Sequence, residues 1–277
     1  MSEVETADSS EAMPDMFQSR VFKPLFIVSL VIYFFYLVIS KAPASIAAWA
    51  IHQAAPNVWL MSTQGTLWHG RAGSAQVDLG HKTMPLGQVN WSLNPLSLLI
   101  LRPCLSFETQ VPGQLISGSL CQSPFGSISL SDVNLDMPAS TISNLLPVEK
   151  TLGQISLQII DADLSGVTKG VDQMSINQLD ARFSWQNAGV FVEQNWFTLG
   201  SFGGQVQADG EGGINAKVTD IEGPYGVDLN VGWTPGAQNS RIDGKITPRE
   251  GASGQVVQAI QLIGEEVEKG TYQVSWQ

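Results

Sequence analysis

The sequence predicts an all-β domain, built as an antiparallel curved sheet, a sandwich or an open barrel, with one N-terminal transmembrane helix and one or two short helices. Two observations predict this class. A single apolar run without formal charge covers residues 24–40, and nothing similar recurs later in the chain. Beyond it, short segments of alternating apolar and polar residues are separated by Gly, Pro or Asn every ~8 to 14 residues, as in strands joined by hairpin turns.

The apolar run is interpreted as an uncleaved membrane anchor. Its length, about 25 Å at the helical rise per residue, is near the lower limit for crossing a bilayer. A cleaved signal peptide is one alternative, although no small-residue cleavage site directly follows the run. A buried core helix is another, although apolar residues surround the whole circumference. The residues assigned to the anchor are Pro24, Leu25, Tyr33, Tyr36 and Ser40. The two tyrosine hydroxyls would either meet a partner helix or tilt towards an interface.

The anchor divides the chain into four predicted regions. They are a disordered cytoplasmic tail (1–22), a transmembrane helix (23–41), a juxtamembrane helix or linker (42–56) and a β-rich domain (57–277). The tail is polar and poor in aromatic residues, which is typical of disorder. Arg20 and Lys23 precede the run and Lys41 follows it, and this small excess of positive charge favours a cytoplasmic N-terminus.

The two cysteines give independent information about the compartment. Pro112 and Gly113 form a turn dipeptide, and a hairpin around this turn places Cys104 directly opposite Cys121. In that register they occupy a non-hydrogen-bonded pair, where Cα atoms are ~4.5 Å apart, within the span that a disulfide tolerates. We therefore expect a Cys104–Cys121 disulfide and an oxidising compartment, which with the charge bias is the bacterial periplasm. Two reduced thiols in a cytosolic domain are the alternative.

The alternating pattern predicts fourteen strands. These cover residues 62–68, 72–79, 87–93, 105–110, 114–120, 126–135, 152–161, 176–185, 189–198, 202–210, 214–222, 225–233, 241–247 and 271–276. The juxtamembrane segment 43–55 is interpreted as a short helix, and two short helices are predicted among the strands, at residues 138–147 and 253–268. The last of these carries apolar residues at helical spacing from Val256 to Val267. The glycine-rich segments 200–204 and 210–213 are interpreted as hairpin turns or sheet bends.

The search for reactive chemistry excludes several function classes. The formal net charge is −11 and no basic patch is visible, which argues against nucleic-acid binding. His52, His69 and His81 form no metal-binding or catalytic motif. No nucleophile elbow or phosphate-binding loop is present. We therefore expect no catalytic, metal or cofactor-binding residues, no cofactor, no small-molecule substrate and no enzyme. The sequence assigns no partner-binding residues.

Several short motifs, taken in order along the chain, resemble one known family. They are Gly65-Thr-Leu-Trp68-His-Gly70-Arg-Ala, Val89-Asn-Trp91-Ser-Leu-Asn-Pro95, Gly118-Ser-Leu, Leu145-Leu-Pro147, Trp185-Gln-Asn-Ala188 and Gly270-Thr-Tyr272. Together they resemble the type II secretion system protein N family. The resemblance implies an accessory inner-membrane component of the general secretion pathway, which exports folded periplasmic proteins. It also implies partners among the other inner-membrane subunits of that machine and the secretin, and it carries over no catalytic residues.

Two functions from different classes follow from these observations. In the first, the protein is a scaffold whose anchor joins the secretion platform and whose β domain binds a partner by strand addition or in a groove. In the second, the anchored sheet handles lipid in the periplasm along an apolar face, as AsmA-like or lipopolysaccharide-transport-like groove proteins do. Apolar residues at alternate positions, such as Ile155, Leu157 and Ile159, fit either function.

Overall fold

The chain is described by a computed structural model over residues 22–78, 83–145, 148–167, 173–236 and 240–276. It divides into two compact units, Met1–Ala42 and Pro43–Gln277. The predicted disordered tail lies, up to residue 21, outside the described residues, and so does His81.

The first unit contains one helix, α1, which covers Phe22–Ser40. Residues 24–39 are all exposed, and they include Tyr33 and Tyr36 at 60% and 64%. At the end of the helix the carbonyl of Leu37 accepts from the Ser40 hydroxyl and from the Lys41 N–H, both at 3.1 Å. Within the described ranges, no helix meets the combined criteria of length and apolarity for a membrane span.

The second unit is one antiparallel sheet of fourteen strands. In chain order the strands are β1 Val58–Gly65, β2 His69–Asp78, β3 Thr83–Leu93, β4 Cys104–Gln110, β5 Leu115–Gln122, β6 Ile128–Pro138, β7 Lys150–Ser165, β8 Ser175–Val192, β9 Asn195–Ala208, β10 Ile214–Glu222, β11 Tyr225–Trp233, β12 Arg241–Pro248, β13 Gly264–Glu268 and β14 Thr271–Trp276. From β1 to β12 each strand pairs with the next one in sequence, and the sheet ends in the order β12-β14-β13. It is therefore an open meander with β1 and β13 as its edges.

Helices occupy the connections. They are α2 (Ala44–Ala54), α3 (Pro95–Leu99), α4 (Gly254–Ile263) and a 3-10 helix at Ala139–Leu145. The predicted helices at 43–55 and 138–147 are thus present, whereas α3 was not predicted. The Asn94 side chain accepts from the backbone N–H of Leu96 at 3.0 Å, and Pro95 occupies the first turn, where it needs no hydrogen bond.

The strand register separates the side chains into two faces. Two cross-strand rows form what we call the apolar face: Leu135, Leu157, Phe183, Gly204, Val218, Leu229, Gly244 and Val274, and Val133, Ile159, Ala181, Val206, Ala216, Val231, Ile242 and Trp276. A neighbouring row forms the polar face: Asn134, Gln158, Arg182, Gln205, Lys217, Asn230, Asp243 and Ser275. Every member of the polar row is exposed, whereas the apolar rows are buried or half-buried except for Trp276.

Two clusters of buried side chains lie where a helix packs on the sheet. Near β1 to β4, Ala44 and Ala47 of α2 pack against Ala72 and Trp91. Near the other edge, Ile260 of α4 packs against Tyr225 and Tyr272. The core is therefore divided between two helix-covered regions. Across the central strands the apolar side chains stay half-buried, because no second sheet of described residues packs on them.

Two predictions about local structure are wrong. The helix predicted over residues 253–268 ends at Ile263, because Gly264 is extended (φ −117°, ψ 151°) and begins β13, which pairs with β14. The three strands predicted over residues 176–210 are two long strands, β8 and β9. Their turn lies at Glu193 and Gln194, which adopt positive φ angles of 49° and 66°. The glycines at 200–204, interpreted as a hairpin turn or a sheet bend, lie inside β9, where Gly200 is next to a register shift. The glycines at 210–213 lie in the β9–β10 turn, as predicted.

Candidate functional site

The described residues contain no arrangement that resembles a reactive centre. No group of three His, Cys, Asp or Glu side chains within them is placed to hold a metal ion. The His52 ring packs on Trp59 with ring centroids 4.4 Å apart, and its Nδ1 lies 3.3 Å from the Val58 carbonyl. His69 is exposed at the first residue of β2, where the Thr66 hydroxyl accepts from its backbone N–H at 3.1 Å. Both histidines thus have structural contacts.

One carboxylate has a perturbed environment, and the cause is structural. Burial raises the pKa of Asp220, but hydrogen bonds from the Val227 N–H and the Arg249 guanidinium outweigh it, so the net pKa lies below the ordinary value. The two contacts measure 2.8 Å and 2.6 Å. Asp220 thereby ties the end of β10 to β11 and to the residue that follows β12. This arrangement joins adjacent hairpins and positions no second reactive group.

The predicted cysteine hairpin is present. β4 and β5 pair so that Cys104 is opposite Cys121, and the two are joined by a disulfide with a Cα–Cα distance of 4.1 Å. The Val111–Gln114 bridge closes the predicted Pro112-Gly113 turn. The disulfide lies on the polar face, in line with the exposed Ser106–Ser119 pair, whose hydroxyl oxygens are 2.9 Å apart.

An apolar cavity of about 290 Å³ lies between α2 and the sheet. Its lining includes Ala47, Ile51, Leu67, Trp91, Leu105 and Leu120. Trp91 is 5% exposed, and its indole N–H donates to the Leu67 carbonyl at 3.2 Å, so the one polar atom of this ring is satisfied. The cavity is near the lower limit of volumes for small-molecule pockets, and its wall offers van der Waals contact rather than reactive groups.

The two sheet edges differ in chemistry. β13 carries Glu265, Glu266 and Glu268, all exposed, and has a register shift; charges and bulges of this kind protect an edge from pairing. β1 carries no charged residue, and among the described strands only β2 pairs with it. Within β1, Ser62 has a positive φ of 55°, but the register with β2 is the same on both sides of it. The open edge of β1 is therefore the better template for an additional strand.

The backbone geometry indicates which residue of β1 faces outwards. The Thr66 N–H donates to the His69 carbonyl at 2.9 Å, so these two residues are a hydrogen-bonded pair. Because hydrogen-bonded and non-hydrogen-bonded pairs alternate in an antiparallel ladder, Thr63 and its partner Ala72 form a non-hydrogen-bonded pair. The N–H and C=O of Thr63 therefore point away from β2.

The structure brings the predicted anchor residues together in α1 and places the disulfide in the sheet. Within α1, Pro24 and Leu25 lie in the first turns and Ser40 is the last residue. Sequence reasoning missed the exposed apolar residues of the β3–β4 connection, Leu96 to Leu101. Their signal was present as a run of leucines and one isoleucine between two predicted strands, but it is too short to be read as a membrane segment.

Comparison with known proteins gives one match. The family model described as type II secretion system (T2SS), protein N matches residues 56–275, which cover the sheet from β1 almost to the end of β14. No curated protein and no solved structure shows a significant match to the chain.

Proposed function

The chain belongs to the type II secretion system protein N family, and from this we propose that it is a non-enzymatic accessory component of type II secretion, anchored in the bacterial inner membrane with its sheet in the periplasm. The family match over residues 56–275 carries this proposal. The Cys104–Cys121 disulfide supports an oxidising compartment for the sheet. Residues 24–39 of α1 are uncharged and exposed, which supports an apolar environment for that part of the helix.

The role in the membrane is that of an anchor within the secretion platform. Tyr33 and Tyr36 carry hydroxyl groups in the central part of α1, and in hydrocarbon such groups need a partner. We assign them to contacts with helices of other inner-membrane secretion subunits. Tyr33→Phe/Tyr36→Phe should then reduce the recovery of those subunits with the purified chain while leaving its insertion unchanged. Equal recovery would assign the two hydroxyls to the bilayer interface instead.

The role in the periplasm is the binding of an extended segment of a secretion subunit, the secretin included, along β1. Strand addition gives affinity through backbone hydrogen bonds, and the outward N–H and C=O of Thr63 are placed to make them. The edge β13 is a poorer template because an added strand would have to remove water from its three glutamates or be repelled by their charge.

The experiment compares secretion and partner recovery in a type II-secreting bacterium that carries the full-length chain or variants of it. Deleting the gene should lower exoprotein export, and the tagged chain should co-purify with inner-membrane secretion subunits. Thr63→Pro removes the outward N–H and should weaken this recovery, whereas Thr63→Ala, which keeps the N–H, is the matched control. Unchanged export after deletion, together with no co-purifying secretion subunit, would refute the proposal.

A second readout protects the test from a folding defect in Thr63→Pro. A photocrosslinking residue at the exposed neighbouring position Gln64, in the otherwise natural chain, should form adducts with a secretion subunit. The same residue at Glu265 on the opposite edge should give fewer adducts. Equal labelling from both edges would contradict binding along β1.

Lipid handling is the second candidate function, and one specific observation favours it. The apolar face runs across the central strands half-buried, with no second sheet of described residues on it. The apolar cavity beneath α2 lies on the strands that precede this face, β3 to β5. To test this, the full-length chain would be purified from membranes in a polymer belt, and the lipids bound to it would be extracted and identified by mass spectrometry. Acyl chains retained at fixed stoichiometry after lipid exchange would support lipid handling, and their complete exchange would count against it.

A further inference from the structure

The connection between β3 and β4 carries a concentrated group of exposed apolar side chains. Its members, which we call the apolar tip, are Leu96 (69% exposed), Leu98 (37%), Leu99 (81%), Ile100 (70%) and Leu101 (71%). The neighbouring β5–β6 turn adds Phe125, which is 98% exposed. Single exposed apolar residues are ordinary, but a contiguous group of this kind marks a surface that another apolar phase covers.

The apolar tip is held in place by hydrogen bonds from its own base. Ser97, its one polar residue, is 7% exposed, donates to the Asn94 carbonyl at 2.5 Å and accepts from the Cys104 N–H at 3.0 Å. The Arg102 N–H donates to the Ser97 carbonyl at 2.9 Å. The Cys104–Cys121 disulfide closes the strands directly below. The polar groups thus turn inwards, so that the outward surface is apolar and can leave water at little cost.

The apolar tip lies on the rim of the sheet beside which the chain enters the second unit. In a meander, alternate connections share one end, so residues 66–68, 94–103 and 123–127 all belong to this entry rim. Pro43, the first residue of the second unit, bridges Thr66 in the first of these turns. Ser40, the last residue of α1, precedes Pro43 by three positions, which is at most ~11 Å of extended chain.

We propose that the entry rim lies against the membrane that holds α1, with the apolar tip and Phe125 inserted among the lipid acyl chains. The proposal rests on the membrane anchor proposed above, because a bilayer around α1 would bring the entry rim to its surface through a link of two residues, Lys41 and Ala42. Arg102 stands at the base of the apolar tip, where its Nη2 donates to Ser129 Oγ at 3.1 Å. A guanidinium at that depth fits the headgroup phosphates of the same leaflet.

The chemistry of the apolar tip favours lipid over a protein partner. Between Pro95 and Leu101 the tip has no outward polar side chain that could orient a partner. Acyl chains are a fluid phase and impose no shape of their own. The opposite rim also has exposed apolar residues, but charged neighbours separate them: Ile221, 61% exposed, stands between Asp220 and Glu222.

The test uses the full-length chain, with its native disulfide oxidised, in nanodiscs of phosphatidylethanolamine and phosphatidylglycerol. A bimane label is attached at Leu99→Cys or, as the matched control on the opposite rim, at Ile221→Cys. Quenching is measured with a lipid that carries a nitroxide on its acyl chain and with aqueous iodide. We expect lipid quenching to be at least about threefold stronger at Leu99 than at Ile221, and iodide quenching to be weaker by a similar factor.

Each other outcome overturns the docking proposal in a recognisable way. Strong iodide quenching at Leu99, in a chain that resists carbonate extraction from membranes, refutes docking alone and leaves the anchor intact. Protection of Leu99 from both quenchers means that a protein, a second copy included, covers the apolar tip. Release of the chain by carbonate refutes the anchor, and the docking proposal falls with it. A label at Leu115→Cys lies next to the β4–β5 turn, on the rim opposite the apolar tip. Weak lipid quenching there would show that quenching depends on the rim and not on the neighbouring strands.

Discussion

Removing the disulfide should destabilise the sheet by an amount that its loop length sets. Replacing Cys104 and Cys121 by Ser frees two residues that are 17 positions apart in sequence. In the chain-entropy description, a loop of that length lowers the entropy of the unfolded chain enough to stabilise the fold by about 3 kcal/mol at 25 °C. The native pairing of β4 and β5 should persist, because four further residue pairs hold the register.

Urea unfolding followed by tryptophan fluorescence measures this effect. For a domain of this size we take the free energy of unfolding to fall by about 3 kcal/mol per molar urea, which is near the upper end for small proteins. The loss of stability should then lower the midpoint of urea unfolding by about 1 M. Reductant should lower the urea midpoint of the natural chain to that of the double variant, and it should leave the midpoint of the variant unchanged. As the control, Ser106→Ala/Ser119→Ala removes the exposed hydroxyl contact two positions along the same face and should cost less than ~1 kcal/mol.

The reasoning fails if the double variant and the natural chain unfold at the same midpoint. It also fails if the double serine variant is no less stable than the double alanine control. Either result would mean that the unfolded chain already keeps this hairpin closed, so that the covalent link removes no entropy.

Three further perturbations test other contacts. Trp91→Ala should lower the free energy of unfolding by about 3–5 kcal/mol, because it removes a ring that is 5% exposed from beneath α2; a loss below 1 kcal/mol in urea unfolding would contradict this. Thr151→Val should cost about 1–3 kcal/mol, since it leaves the buried Ala139 carbonyl without the donor that lies 2.6 Å away, and Thr151→Ser, which keeps the hydroxyl, should cost less. Because the pKa of Asp220 is lowered in the fold, the stability it contributes is present above its unfolded pKa near 3.8 and is lost as the pH falls through the folded value. Asp220→Asn should therefore reduce the decrease in the free energy of unfolding at acidic pH. If the variant and the natural chain lose stability in parallel as the pH falls, the pair with Arg249 contributes nothing.

The sequence predicted best where turn chemistry alone decides the structure. The Pro112-Gly113 turn fixed the cysteine pairing, because a two-residue loop leaves one register in which the faces separate. β10, β11 and β14 have the predicted bounds for the same reason, since clear turn residues flank each of them.

The predictions failed where pairing between strands overrides local preference. Val267 continues the helical spacing of α4, yet the residues from Gly264 onwards join β14. The segment 200–204 was interpreted as a hairpin turn or a sheet bend, whereas Gly204 lies inside β9, where an added Cβ would come within 2.6 Å of the Phe183 ring. The ring therefore occupies the space that the glycine leaves. A local pattern cannot reveal such a contact, because Phe183 is on another strand.

The architecture was predicted only as one of three options for a related reason. Alternation along a strand shows that one face is apolar, but a sandwich, a barrel and an open sheet all need such a face. What separates them is what covers that face, and this depends on where α2 and α4 pack. The apolar tip was missed because it is recognised by the exposure of its apolar side chains, and residue types alone do not show exposure.

The strand order has a consequence for how this chain is made and how it can change. Because each strand from β1 to β12 pairs with its sequence neighbour, every hairpin can close as soon as its two strands have been made, without waiting for a distant segment. For the same reason, a whole hairpin can be gained or lost in the middle of the sheet without rethreading the remaining strands. The length of the sheet is thus an adjustable dimension, and relatives of this chain can differ in reach while they keep both ends.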